Sequence, residues 1–122
     1  MIRIKRVFEA AAPEDGRCFL VDRLWPRCMS KAALKAEYWY REVAPSAALR
    51  KWFSHSPEKW PGFRKRYHTE LNANPEAWAA ILEAALHGEI TLLYAARDPD
   101  HNNAVVLREY LLTRLRRVEH RI

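Results

Sequence analysis

The sequence predicts a small, single-domain α/β protein with a mostly parallel sheet of three to four strands flanked by helices. A chain of 122 residues has the common size of one domain, so we expect residues 1–122 to form a single domain. Short, continuous apolar runs at 18–21 and 90–96 are typical of strands that are buried on both faces. Stretches with helical periodicity separate and follow these runs, and that alternation indicates a parallel sheet.

The first third of the chain is expected to be mostly strand and loop. Ile2 and Ile4 alternate with basic residues, which predicts a half-buried strand reaching about Phe8. The strand at 18–21 follows, and Ser30 is placed to cap a short helix over 31–35. Residues 38–43 fit either a helix or a fourth strand.

Helices are predicted on both sides of the strand at 90–96. Ser46 caps a short helix that extends to Phe53. The next helix begins near Trp60 after a distorted turn, because Pro61 lacks an N–H group. A further helix runs from the Asn-Pro-Glu sequence at 74–76 to Gly88. The last helix is expected to be capped by Asp98 or Asp100.

Composition favours an anionic partner and argues against several classes of protein. Lys and Arg number 21 against 15 Asp and Glu, giving a formal charge of +6 that suits nucleotides, phosphorylated metabolites or nucleic acid. The chain has neither a membrane-spanning apolar run nor a signal peptide, so we expect no membrane association and a cytoplasmic location. Two cysteines, Cys18 and Cys28, are too few for a disulfide framework or an unaided zinc site, and no metal or cofactor is expected.

Polar segments follow both apolar strands. The strand at 18–21 leads into the sequence DRLWPR at 22–27, and the strand at 90–96 leads into RDPDHN at 97–102. If the two strands are parallel neighbours, their carboxyl ends form one edge, where open α/β sheets bind ligands. The predicted ligand-binding residues are Arg23, Trp25, Arg27, Arg97, Asn102 and His55, and the candidate catalytic residues are His101, Asp98 and Asp22.

The residue types at this edge match an anionic ligand. Guanidinium groups bind phosphate or carboxylate oxygens in bidentate fashion, and a helix N-terminus adds backbone donors. His101, expected in the first helical turn, suits a neutral imidazole that exchanges a hydrogen bond. Simpler roles stay open: Asp22 and Arg23 as a structural ion pair, Trp25 as a core lid, and Asp98 as a helix cap. The residues leave open whether the site catalyses a reaction or only binds.

Two other functions fit the sequence. A nucleic-acid-binding module would use the basic C-terminal residues Arg114, Arg116 and Arg117, although the charge pattern favours a solvated helix end. A protein-interaction or dimerisation domain would expose the aromatic residues Trp39, Trp52 and Trp60. The sequence does not predict the oligomeric state.

Several spaced motifs resemble the YeaO-like family, the bacterial proteins that carry domain of unknown function 488. The motifs are VDRLWPR at 21–27, VAPS at 43–46, LRKWFSH at 49–55, LLYAARD at 92–98, HN at 101–102 and AVVL at 104–107. They cover nearly the whole chain in order. The resemblance implies a stand-alone cytoplasmic α/β domain with no known obligatory cofactor.

The chain departs from the family pattern at two positions. Family members usually carry Gly where this chain has Cys28, and commonly Gly where it has Ser54. Glycine accommodates backbone conformations that other residues avoid. The two departures therefore put in doubt any tight backbone turn that the family needs there, and they fit either an altered access for a ligand or a tolerated φ angle.

Overall fold

The computed structural model, which describes residues 1–120, contains a parallel sheet with the strand order β1-β4-β2-β3. The strands are β1 (Ile2–Arg6), β2 (Arg17–Leu20), β3 (Tyr38–Trp39) and β4 (Ile90–Tyr94). The predicted α/β class is confirmed, and the segment 38–43 contributes the fourth strand. The strands β1 and β4 end two residues before the predicted limits of Phe8 and Ala96.

The central position of β4 explains its apolar sequence. Every residue of β4 is buried, and the strand pairs with β1 on one side and β2 on the other. Leu92, for example, is in register with Ile4 and with Phe19. Because β2 and β4 are parallel neighbours, the chain leaves both strands at the same edge of the sheet.

The α-helices are α1 (Ala47–Phe53), α2 (Trp60–Ala73), α3 (Pro75–His87) and α4 (Asn103–His120), and short 3₁₀ turns occupy Pro13–Asp15, Arg41–Val43 and Pro57–Lys59. Ser46 caps α1 as predicted, since its Oγ accepts a hydrogen bond of 3.1 Å from the N–H of Leu49. The 3₁₀ turn before Trp60 confirms the distorted start of α2. Within residues 1–120, the structure contains no helix with the length and apolarity needed to cross a membrane.

The α-helices pack on one face of the sheet. Their buried side chains, such as Phe63, Ile81 and Leu111, form one core with Phe19 and Leu92 of the sheet. Irregular segments at 8–16 and 22–37 cover the opposite face. A smaller core lies beneath them and consists of Val7, Leu20, Leu34 and Leu93, with Trp25, Met29 and Trp39 packed at its margin.

The predicted helix over 31–35 is wrong, and the small core explains why. Ser30 does begin a turn, because its Oγ accepts a hydrogen bond of 3.0 Å from the N–H of Ala33. The turn does not continue into a helix. Instead, the chain places the side chain of Leu34 in the small core with Leu20 and Leu93. Tertiary burial therefore outweighs the local preference for a helix.

The predicted cap of α4 is also wrong. Asn102, and neither Asp98 nor Asp100, precedes the helix, and its Oδ1 accepts a hydrogen bond of 3.1 Å from the N–H of Val105. Asp98 closes an earlier turn, because its Oδ1 accepts hydrogen bonds from the N–H groups of Asp100 and His101. His101 consequently lies in the loop before α4, not in its first turn.

Candidate functional site

A cavity of about 360 Å³ lies at the carboxyl ends of β2 and β4. The segment after β2, the segment around α1 and the segment after β4 all contribute to its walls. Its ionisable and amide side chains are those of Asp22, Arg23, Arg27, Arg50, His55, His101, Asn102 and Asn103, and its apolar lining includes Trp25, Pro26, Pro45, Phe53, Phe63, Ala95 and Ala96.

Asp22 joins the ends of the two strands inside this cavity. Its Oδ2 accepts a hydrogen bond of 2.9 Å from the N–H of Ala95, and its Oδ1 accepts one of 3.1 Å from the side-chain amide of Asn103. Burial raises the pKa of Asp22, although these two hydrogen bonds and the charge of Arg50 oppose the rise. The carboxylate is therefore a desolvated acceptor at the base of the site.

Three arginines line the cavity with different degrees of exposure. Arg23 is half-buried; its Nη2 donates to the carbonyl of Ala44 at 3.3 Å, and Nη1 lies 4.0 Å from Glu42. Among the described residues, none accepts a hydrogen bond from the buried Nε of Arg23. Arg27 and Arg50 are exposed at the rim. Their guanidinium groups are accessible to an anion without breaking a buried contact.

His101 is oriented by the turn that precedes α4. Its Nδ1 lies 2.9 Å from Oδ2 of Asp98, and its ring meets the ring of Trp60 edge-on at a centroid distance of 5.0 Å. A carboxylate can only accept, so Nδ1 carries the hydrogen, and Nε2 of the neutral ring is an acceptor. The backbone hydrogen bond from Asp100, and after it the contact with His101, lower the pKa of Asp98.

Two consecutive asparagines fix the start of α4 against the end of β2. The Nδ2 of Asn102 donates to the carbonyl of Asp98 at 2.9 Å, while its Oδ1 caps the helix. The Nδ2 of Asn103 donates to the carbonyl of Val21 at 3.0 Å, in addition to Asp22. Both amides are occupied by the protein, so they position the site rather than offer free donors.

Trp25 belongs to the cavity and to the small core at once. Its indole Nε1 donates to the carbonyl of Met29 at 2.6 Å, and its ring packs edge-on against Trp39 at 5.5 Å between centroids. The indole of Trp39 in turn donates to the carbonyl of Asp22 at 2.7 Å. Trp25 is therefore a fixed wall of the cavity.

The structure brings together most, but not all, of the predicted site residues. Those that line the cavity are Asp22, Arg23, Trp25, Arg27, His55, His101 and Asn102. Arg97 is exposed and does not line it, and Asp98 lies behind His101. Arg50 and Asn103 line the cavity but were not predicted. Arg50 falls within the LRKWFSH motif and Asn103 directly follows Asn102, so the motifs themselves contained the signal.

Both positions where the family carries Gly adopt the left-handed conformation. The φ angle is 62° at Cys28 and 45° at Ser54, and the neighbouring His55 has a φ of 57°. The turns that the two departures put in doubt are thus present, and the structure tolerates a positive φ angle at both positions although a Cβ atom disfavours it. The turn at Ser54 ends α1 and brings His55 to the rim of the cavity.

The residues named for nucleic-acid binding and for protein interaction largely make contacts within the protein. Arg114 donates to Asn72 and to the hydroxyl of Tyr110. Arg116 and Arg117 are exposed near the C-terminal end of α4, and the cavity lies at its N-terminal end. Trp52 lies beneath the cationic groups of Lys59 and Arg66, and Trp60 packs against Phe53 and Phe63.

A second cavity of about 270 Å³ lies on the opposite face of the sheet, beneath the irregular segments. Lys5 lines this cavity and forms an ion pair of 2.8 Å with Asp15, whose side chain is nearly inaccessible to solvent. The Lys5 ammonium group is the main cause of the lowered pKa of Asp15. Within residues 1–120, no three His, Cys, Asp or Glu side chains form a group able to hold a metal ion.

Comparison with known proteins gives one family and several relatives. The family model described as "Inactive DUF488-N3 subclade" matches residues 1–121. The chain is 37% identical over 110 residues to the uncharacterized protein YeaO of Escherichia coli K12, covering 90% of this chain and 96% of that protein. It is 36% identical to an uncharacterized protein of Mycobacterium tuberculosis H37Rv, covering 90% of this chain and 92% of the relative. No solved structure gives a significant match.

Proposed function

Since the chain belongs to the DUF488 family, in a subclade described as inactive, we propose that it is a non-catalytic domain that binds a small phosphate-bearing ligand in the cavity at the ends of β2 and β4. The observation that carries this proposal is the accessible pair Arg27 and Arg50 at the rim of one cavity. Two guanidinium groups that line one cavity suit the several oxygens of a phosphate group.

The remaining polar groups support binding more than catalysis. Asp22 is engaged with Ala95 and Asn103, and His101 with Asp98. These contacts fix acceptors around the cavity, which is what selective binding of a ligand requires. The subclade's description agrees with such a role. Under this proposal Asp22, Asp98 and His101 orient or contact the ligand and transfer no proton.

Thermal denaturation with inorganic phosphate and ribose 5-phosphate tests the proposal. A ligand that binds the native state alone stabilises it by about 2.7 kcal/mol at a concentration one hundred times its Kd. We expect a rise in Tm with ribose 5-phosphate that saturates with concentration. Arg27→Ala and Arg50→Ala should each weaken binding about 10- to 100-fold, the usual loss for a charge-assisted hydrogen bond.

Arg97→Ala is the matched control, because it removes the same charge from an exposed residue of the same loop cluster outside the cavity. It should change the affinity less than threefold at an ionic strength of about 0.15 M, where the screening length is about 8 Å. Equal losses in all three variants would indicate a diffuse charge effect and contradict the site. No stabilisation of the wild-type protein by either anion would also reject it.

A further inference from the structure

The proposed phosphate site accounts for the rim of the cavity and leaves its base unexplained. Asp22 lines the cavity, and each of its carboxylate oxygens accepts one hydrogen bond from the protein. A carboxylate has about four acceptor sites, so at least one lone pair on each oxygen stays available. A negatively charged acceptor repels phosphate and attracts a hydrogen-bond donor.

Much of the cavity lining beside Asp22 is apolar and aromatic. Trp25, Phe53 and Phe63 contribute rings, and Pro26 and Pro45 contribute flat apolar surfaces. Trp25 is held in place by its hydrogen bond to Met29 and its contact with Trp39. Rigid apolar walls of this kind favour a planar ring over a flexible or heavily hydroxylated chain, because burying an unpaired hydroxyl group is costly.

Exposure separates the arginines at the opening from the rest of the lining. Asp22 and Asn103 are partly buried and the rings of Phe53 and Phe63 are buried, whereas Arg27, Arg50 and His55 are exposed. A ligand that fills the cavity therefore contacts a carboxylate and apolar walls on the inside and guanidinium groups at the opening. The cavity volume of about 360 Å³ lies near the lower end of the range for small-molecule sites, about 300–1,000 Å³.

We infer that the ligand is a free nucleoside monophosphate whose nucleobase donates a hydrogen bond to Asp22 and whose phosphate lies between Arg27 and Arg50. This inference rests on the proposed function, because it keeps the phosphate at the rim. It adds a nucleobase to the ligand and gives Asp22 the role of selecting that nucleobase. The Nε2 of His101 supplies a second acceptor at the edge of the same cavity.

A free nucleotide fits better than a nucleic-acid strand. A strand requires a continuous cationic track leading away from the cavity. On α2, Arg64 is paired with Glu109 at 2.7 Å, and Arg66 lies over the ring of Trp52. The exposed Arg116 and Arg117 lie near the far end of α4, an 18-residue helix about 27 Å long. These basic groups do not form one track from the site.

Isothermal titration with the four common nucleoside monophosphates, ribose 5-phosphate and inorganic phosphate tests the inference. We expect at least one nucleotide to bind about ten times more tightly than ribose 5-phosphate. Asp22→Asn keeps the size of the side chain and replaces one acceptor oxygen by a donor. This variant should lose the advantage of the nucleotide over ribose 5-phosphate, whereas Arg97→Ala, which lies outside the cavity, should retain it.

A second measurement leaves the protein unaltered, in case Asp22→Asn fails to fold. The best nucleotide is compared with its analogue in which the donor hydrogens of the base are replaced by methyl groups. The analogue should bind about 10- to 100-fold more weakly, the loss expected when a buried charged acceptor is left without its partner.

The outcomes separate the two proposals. If ribose 5-phosphate binds and no nucleotide binds more tightly, the inference fails and the proposed phosphate site stands. If nothing binds, both fail. A single-stranded oligonucleotide of the preferred base that binds ten times more tightly than the mononucleotide would overturn the free-nucleotide inference in favour of a strand.

Discussion

The carboxylate of Asp22 accepts a hydrogen bond of 2.9 Å from the N–H of Ala95, so a residue two positions beyond the end of β2 closes the end of β4. This bond takes the place of a backbone ladder bond where the two strands separate. The same carboxylate also holds the first residue of α4 through Asn103. One side chain thereby connects a strand, its neighbour and the helix that follows, and its removal has consequences for stability.

Asp22→Ala should lower the free energy of unfolding by about 1–3 kcal/mol for each donor left unpaired, because the N–H of Ala95 and the amide of Asn103 lose their acceptor. Asp22→Asn should cost less, since its carbonyl oxygen still accepts. Urea denaturation of both variants measures the difference. A loss below 0.5 kcal/mol for Asp22→Ala would contradict the structural role.

The raised pKa of Asp22 predicts a pH dependence with a definite sign. The native state binds the Asp22 proton more tightly than the unfolded state, whose pKa is near the ordinary value of 3.8. The contribution of Asp22 to stability is therefore complete below pH 3.8 and is lost as the pH rises through the raised pKa. Relative to Asp22→Asn, the wild-type protein should lose stability over that window. A constant difference between the two proteins would reject this expectation.

Asn102→Ala should destabilise the protein by about 1 kcal/mol or more, because Asn102 caps α4 and its side chain is buried. Asp100→Ala is the control. Asp100 is exposed, and its contact in the turn comes from its backbone N–H, which alanine retains. Thermal denaturation should show little change in Asp100→Ala. If Asp100→Ala destabilised the protein more than Asn102→Ala, Asp100 would be the cap of α4 and the contact of Asn102 would not be.

Glycine at the two left-handed positions should stabilise the protein. A left-handed conformation costs a residue with a Cβ atom about 1–2 kcal/mol, while glycine adds about 0.4–1 kcal/mol of backbone entropy to the unfolded state. Cys28→Gly and Ser54→Gly should each gain about 0.5–1 kcal/mol. Ser54→Ala keeps the Cβ atom and should gain nothing. Chemical denaturation of the three variants distinguishes backbone strain from a simple loss of the polar side chain.

The ion pair between Lys5 and Asp15 predicts that its contribution to the free energy of unfolding is largest at intermediate pH and falls in both acid and alkali. The lowered pKa of Asp15 means that its contribution is present above pH 3.8 and disappears as the pH falls. The raised pKa of Lys5 means that its contribution is present below pH 10.5 and disappears as the pH rises. Lys5→Met should be less stable than wild type at neutral pH, with a difference that shrinks in acid. Lys35→Met, which alters an exposed lysine at the rim of the same cavity, should show neither effect.

Much of the fold was predictable because particular sequences combine local and tertiary signals. The run at 90–96 is continuously apolar, and β4 pairs with β1 on one side and with β2 on the other. Ser46 stands where a helix begins, and its Oγ accepts a hydrogen bond from the N–H of Leu49. The failed helix over 31–35 shows the limit of such reasoning, since only the burial of Leu34 against another part of the chain decides its conformation.

The site was predictable to the level of its two main segments. The rule that ligands bind at the carboxyl ends of parallel strands places 22–27 beside the chain after β4. It cannot state which side chains turn inward. Arg97 falls outside because β4 ends at Tyr94, so that Ala95 and Ala96 occupy the lining instead. Arg50 was marked only by its place in the LRKWFSH motif, because the local sequence does not show that α1 packs beside this edge.

The segment at 22–37 lines the candidate site and also covers the small core, and Trp25 takes part in both. A ligand that orders residues 22–37 should therefore also tighten the packing of the small core. By linkage, tighter packing of the small core should favour binding of that ligand. We therefore expect Leu34→Ala, a substitution in the small core that does not line the cavity, to weaken ligand binding. Evolution of the site is then constrained by the packing of the opposite face of the sheet, and residues 22–37 cannot drift freely even where they never touch a ligand.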